Sequence, residues 1–235
     1  MRNQNILVLG SSKESKKIKG IKFKKVYASN ASIINSKFYL KSSQNIKIIS
    51  VTTLKSVIED IPTKTNLTQI RPHEIVLRKG KIKVLPNINF KHKLRTFENN
   101  KQWSFQKDFF NYSFISLFLS EFFYGENILK KINYIKDIIF YKKKFLGVST
   151  GFFSILLALK ENPHDNIYIS GISMANTPHF YKLIGKETKI ITRYKVDSFM
   201  IGFLKKKYKK RLITSDKKFA QMYNINYITK KNNQK

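Results

Sequence analysis

The chain has 235 residues and a mass of 27.6 kDa, the size of one hydrophobic core or of one core with a small appendage. With 42% hydrophobic and 14% aromatic residues it can bury a sizeable core, which excludes wholesale disorder, and the absence of Cys excludes a disulfide framework, a thiolate nucleophile and zinc–thiolate ligation. Forty-six Lys and Arg against fourteen Asp and Glu leave a charge of +32, which favours polyanionic partners: nucleic acid, an anionic membrane face or a phosphorylated glycolipid. The basic residues are 40 Lys and 6 Arg spread among many Asn and Ile, a pattern that A+T-rich coding also produces, so the charge alone names no partner.

Asn5-Ile6-Leu7-Val8-Leu9 is an apolar run of strand length ending in Gly10-Ser11-Ser12, as expected of a buried parallel strand entering a tight turn. Residues 25–28, 46–51 and 74–77 repeat the pattern, and the stretches between them, 29–39 and 53–60, are long enough for helical crossovers. Periodicity fades over 78–111, where Gly80, Pro86 and two Asn-rich stretches predict an irregular insertion. Helical spacing returns over 112–127 and 147–160, and a Pro163-His164-Asp165-Asn166 turn leads into a strand over 167–172.

The remainder reads as a strand over 189–192, an amphipathic helix over 196–208, a strand over 211–213, a helix capped by Ser215 and Asp216, and a strand over 226–228. The helix over 196–208 sets Val196, Phe199, Met200, Phe203 and Leu204 on one face. The basic run 205–211 follows it, so it reads either as core packing or as adsorption to an anionic leaflet. The fold expected is α/β: a Rossmann-like, mostly parallel sheet flanked by helices, in one domain over 1–229 with a basic tail over 230–235. No charged segment and long apolar run open the chain, and the window 109–124, broken by Glu121, is too short to span a bilayer, which predicts a cytoplasmic protein, soluble or peripheral to the membrane.

In doubly wound sheets ligands bind beyond the carboxyl ends of the strands, near the switch in strand order. Four segments there carry small hydroxyl and amide residues suited to phosphate, ribose and base: Gly10-Ser11-Ser12, Ser29-Asn30-Ala31-Ser32, Val148-Ser149-Thr150-Gly151 and Ser170-Gly171-Ile172-Ser173. Neither the Gly-x-Gly-x-x-Gly pattern nor a Gly-Lys-Ser/Thr phosphate loop occurs, which argues against nicotinamide redox chemistry and ATP hydrolysis. There is no Asp-x-Asp pair and no close His/Asp/Glu set, so neither a metal nor a resident cofactor is expected. His73, His92 and His164 sit in polar or turn contexts that suit solvated residues. His179 follows Pro178 in a short loop beyond the strand over 167–172, where a general base belongs.

The opening Ile-Leu-Val-Leu-Gly-Ser-Ser, Val26-Tyr27-Ala28-Ser29-Asn30, Val148-Ser149-Thr150-Gly151 leading into Ile167-Tyr168-Ile169-Ser170-Gly171-Ile172, and the His179-x-Tyr181 that follows together resemble bacterial sialyltransferases of glycosyltransferase family 42 and related Kdo transferases. The resemblance implies a GT-A-variant fold and a metal-independent, inverting transfer of a sialic acid-like or Kdo-like sugar from a CMP-activated donor to a lipopolysaccharide, capsule or related glycan. It implies that Gly10, Ser11 and Ser12 line the nucleotide site, that Asn30 binds the donor and that Ser149, Thr150 and Gly151 hold its cytidine-phosphate end; Gly171 and Ser173 join the candidate nucleotide-sugar-binding residues by their place at a strand end, Ser173 standing where the family tends to have Asp. His179 would be the base, and Tyr181 is a candidate to stabilise the departing phosphate. Two alternatives stand beside it. A nucleic-acid-binding protein would account for the charge, although no helix-turn-helix, RNP-like motif or Arg-rich reading surface is present; a Rossmann-like methyltransferase rests on the first strand and Gly10 alone.

Overall fold

A computed structural model describes residues 3–12, 17–40, 45–78, 93–109, 148–172 and 191–228. Among these, eight strands form one sheet: β1 (Asn5–Leu9), β2 (Lys25–Ser29), β3 (Lys47–Thr53), β4 (Glu74–Arg78), β5 (Lys93–Phe97), β6 (Asn166–Ser170), β7 (Leu212–Thr214) and β8 (Asn226–Tyr227). Every pairing is parallel and the order is β5-β4-β3-β2-β1-β6-β7-β8. The fold is therefore the α/β, Rossmann-like arrangement expected, and the strand order reverses once, between β1 and β6. The strands at that centre are buried on both faces, which is why Ile6, Leu7, Val8 and Leu9 form an unbroken apolar run instead of an alternating one.

The period of two along each strand sorts the side chains into two cores. Ile6, Val8, Tyr27, Ile49 and Val51 face α5 (Thr150–Glu161) and α6 (Ile191–Tyr208); Leu7, Leu9, Val26, Ala28 and Ile48 face the 3-10 helix Asn30–Ser36 and α3 (Ile61–Ile70). Helix α5 contributes Phe152, Phe153, Ile155, Leu156 and Leu159, all at most 2% exposed, to the first core. At roughly 2 kcal/mol per fully buried side chain this stripe supplies on the order of 10 kcal/mol of gross burial energy. On α6, Met200, Ile201 and Leu204 are buried against the same core, so this part of its apolar stripe is packing surface. Shorter helices α1 (Lys37–Leu40), α2 (Leu54–Glu59), α4 (Asn99–Lys107) and α7 (Lys217–Tyr223, capped by Asp216 through a 3.1 Å bond from the Phe219 N–H) complete the layers. Among the described residues no helix is long and apolar enough to cross a membrane.

Three stretches differ from expectation. Inside the supposed irregular insertion lie β5 and α4; β5 is an edge strand, Lys-Leu-Arg-Thr-Phe, whose exposed and half-exposed residues give no apolar run to read. The strand expected over 189–192 is not formed at Ile191 and Thr192, which open α6: the strand preference of β-branched residues is weak and does not exclude them from a helix. Helix α3 was not foreseen, although Pro62 in its first turn is a helix-start signal. The helix expected over 112–127 lies outside the described residues.

At the amino edge of the sheet a polar network fastens the end of α5 to four strands. Arg95 on β5 bridges the carboxylates of Glu74 (2.9 Å) and Glu161 (2.5 Å), Lys47 approaches Glu74 at 3.7 Å, and the Tyr27 hydroxyl donates to Glu161 at 2.6 Å while accepting from the Asn162 amide at 3.1 Å. Burial, followed by the Glu161 carboxylate, pushes the Tyr27 phenol far above its ordinary range, so it remains a donor at any physiological pH. Removing the bridging cation leaves two largely buried carboxylates facing each other's field. Arg95→Met is expected to lower the unfolding free energy by about 2–3 kcal/mol, measured by urea denaturation; an unchanged midpoint would show the network to be slack.

Candidate functional site at the carboxyl edge

Because all strands run in parallel, every carboxyl end falls on one edge of the sheet. At the reversal point the segments leaving β1 and β6 do not part at once. The Gly10 N–H donates to the Ser170 carbonyl and the Ser12 N–H to the Gly171 carbonyl, both at 2.8 Å, so pairing continues three residues past β1. A Cβ on Gly10 would stand 2.1 Å from the Gly171 oxygen and 2.5 Å from Ile172 Cγ1. Gly171 itself has φ 69°, which glycine adopts freely. Gly10 is thus required by the close approach of two backbones, and Ser11 and Ser12 are buried beside it.

At the end of β2, Asn30 takes a left-handed conformation with φ 50°, for which Asn is among the better non-glycine residues, and turns the chain into the 3-10 helix. Its Oδ1 accepts from the Thr52 hydroxyl on β3 at 3.1 Å, which fixes the amide and leaves its NH2 to donate. Ser29 and Ser32 both donate to the Leu9 carbonyl, at 3.1 and 2.9 Å, and the Asn66 amide donates to the Ala31 carbonyl at 2.9 Å. The hydroxyls around Asn30 are therefore committed to holding its turn against the end of β1.

On the other face of the same edge, α5 begins. Ser149 caps it, accepting from the Phe152 N–H at 3.1 Å, and the buried Asp197 carboxylate on α6 accepts from the Ser149 N–H at 2.8 Å. A carboxylate at a helix N-terminus is favourable, and any anion brought to this one competes with Asp197 for its field. The N–H groups of Thr150 and Gly151 belong to the first turn and have no intrahelical acceptor. Arg78, the last residue of β4 and only 2% exposed, locks the arrangement. It donates to Gln102 Oε1 on α4 (3.2 Å), to Thr150 Oγ1 (3.2 Å) and to the Val148 carbonyl (2.7 Å), and its guanidinium lies 4.6 Å from the centre of the Phe153 ring.

The structure thus brings Gly10, Ser11, Ser12, Asn30, Ser149, Thr150, Gly151 and Gly171 to one edge; a Cβ on Gly151 would meet Ile172, the residue already lodged against Gly10, at 3.5 Å. Ser173, His179, Tyr181 and His92 lie outside the described residues. His73 is placed away from this edge, with Nδ1 accepting from the Ile48 N–H at the start of β3. Sequence reasoning missed Arg78, Thr52 and Asp197, and it singled out Asn30 for its amide, not for its left-handed backbone; nothing local marks a buried arginine. Among the described residues no three His, Asp or Glu side chains gather as a metal-binding group. No protein-family model, no curated protein and no solved structure matches the chain.

Two substitutions test this geometry. Gly10→Ala should cost about 2–3 kcal/mol in denaturant unfolding, because the methyl meets backbone instead of a yielding side chain. Arg78→Lys keeps the charge but cannot reach three acceptors spread over two segments, and should cost about 2 kcal/mol and weaken amide-exchange protection in the first turn of α5. Parental stability in either variant would contradict the contacts described.

Proposed function

We propose that the chain is a glycosyltransferase that binds a CMP-activated, sialic acid-like or Kdo-like sugar across the carboxyl edge of the sheet. It then moves that sugar, with inversion, to a glycan or glycolipid acceptor such as lipopolysaccharide or capsule. The observation that supports the reading is that two oriented groups lie on the one edge where all strands end: the Asn30 amide held by Thr52 and, on the other face, the first turn of α5 held by Arg78. The first offers a fixed donor to a carbonyl or phosphate oxygen; the second offers backbone N–H groups. Ser11 and Ser12 act in this reading through their backbone, as the floor between the two.

The chemistry needs little beyond positioning. The acceptor hydroxyl oxygen attacks the anomeric carbon, the bond from that carbon to the phosphate oxygen breaks, CMP departs with the electron pair, and the hydroxyl proton passes to the His179 imidazole. Donors aimed at the departing phosphate, the first turn of α5 and Tyr181 among them, stabilise the charge that grows there. The reaction requires no metal, and a lipid-linked acceptor would place the enzyme on the cytoplasmic face of the membrane as a peripheral protein.

Ligand-induced stabilisation tests the site. CMP at a hundred times its dissociation constant should stabilise the chain by about 2.7 kcal/mol. Asn30→Gly keeps the left-handed turn and deletes the amide, so it should stay folded, losing about 1–2 kcal/mol with the Thr52 bond, and bind CMP at least about tenfold more weakly. S-adenosylmethionine should have no effect. His179→Ala should lower turnover by about 10²–10⁴ while leaving CMP affinity intact; parental turnover would remove the base from the mechanism.

A further inference from the structure

From residue 15 to residue 58 the chain carries ten Lys and no Asp, Glu or Arg. In the fold, the described part of this window makes a surface. Residues 17–24 run along the outside of the second core, turning Ile18 and Phe23 inward and Lys17, Lys19, Lys22 and Lys24 outward. They are tied to α1: the Ile18 N–H donates to the Tyr39 hydroxyl at 3.0 Å, and the Phe23 ring meets the Tyr39 ring edge-on at 5.5 Å. Helix α1 adds exposed Lys37 and two large apolar side chains left in water, Phe38 at 52% and Leu40 at 37%. Neighbouring α3, which packs on the 3-10 helix, brings Lys64 and no acidic residue.

We propose that this face, Lys17, Lys19, Lys22, Lys24 and Lys37 around Phe38 and Leu40, docks on an anionic lipid bilayer. Clustered lysines without interspersed acids complement a negative leaflet, each contributing near its surface, and exposed Phe and Leu among them enter the boundary between headgroups and acyl chains. Nucleic acid is the competing polyanion. It would need aromatic platforms and arginines, but this face offers a single exposed ring, Phe38, one side of which lies 5.2 Å from the Lys17 ammonium, and its cations Lys17, Lys19, Lys22, Lys24 and Lys37 are all lysines, without an Arg for base edges. Helix α6 and its basic run are the weaker site, since Met200, Ile201 and Leu204 already face the core. The inference stands whatever the carboxyl edge binds.

Co-sedimentation of the full chain with vesicles at physiological ionic strength tests it. Binding is expected to phosphatidylglycerol-rich vesicles and not to pure phosphatidylcholine. At about fivefold per lysine, Lys19→Gln with Lys22→Gln should weaken binding roughly 25-fold, and the Glu pair more. Phe38→Ser with Leu40→Ser should weaken it about tenfold while the chain stays folded, its melting lowered only by the part of each side chain that is buried. Lys206→Glu with Lys207→Glu, on α6 and equal in net charge to the Glu pair, should leave binding within about threefold of the parent. Equal binding to neutral vesicles, an equal loss from the α6 pair, or displacement of vesicles by DNA that the Phe38/Leu40 variant binds normally would each overturn the proposal.

Discussion

The carboxyl edge depends on one close approach: Gly10 lying against the Gly171 carbonyl with no side chain between them. That approach keeps β1 and β6 paired beyond their strand ends and turns the usual crevice at a strand-order reversal into a closed floor. Everything above the floor is then set by longer-range ties. Ser29 and Ser32 pin the turn after β2 to the end of β1, and Arg78 pins the start of α5 to the end of β4. A side chain at position 10 would force the two segments apart and take both walls of the edge with them.

Much of the sheet could be read from the chain because buried parallel strands are unbroken apolar runs, and β1, β2, β3, β4 and β6 all fall where such runs occur. Strand β5 could not, since an edge strand is free to carry Lys93 and Arg95 and its role depends on partners elsewhere. The start of α6 was not legible because Ile191 and Thr192 favour extended structure only weakly, and here they open a helix. In the site, Gly10 was legible as the glycine that ends a buried strand and Asn30 as an amide at a strand's carboxyl end, while the left-handed turn at Asn30 was not. Arg78 was illegible, as its burial makes sense only with Gln102, Val148 and Thr150, between 24 and 72 residues away.

The two ends of the sheet divide the labour. The amino edge holds an ionic network around Arg95, Glu74 and Glu161 that fastens α5, the helix whose other end forms one wall of the candidate site. The carboxyl edge carries polar groups that are oriented, in Asn30 by Thr52 and in Thr150 by Arg78, without being wholly used. Lys17, Lys19, Lys22, Lys24 and Lys37 lie apart from that edge, exposed on the outside of the second core.

Hydrogen exchange followed by mass spectrometry, with and without CMP, tests the central claim most directly. The account predicts slowed exchange in segments covering residues 28–33, 50–54 and 148–153, which meet only at the carboxyl edge. Slowing confined to residues 17–24, or to the amino-edge network, would contradict it.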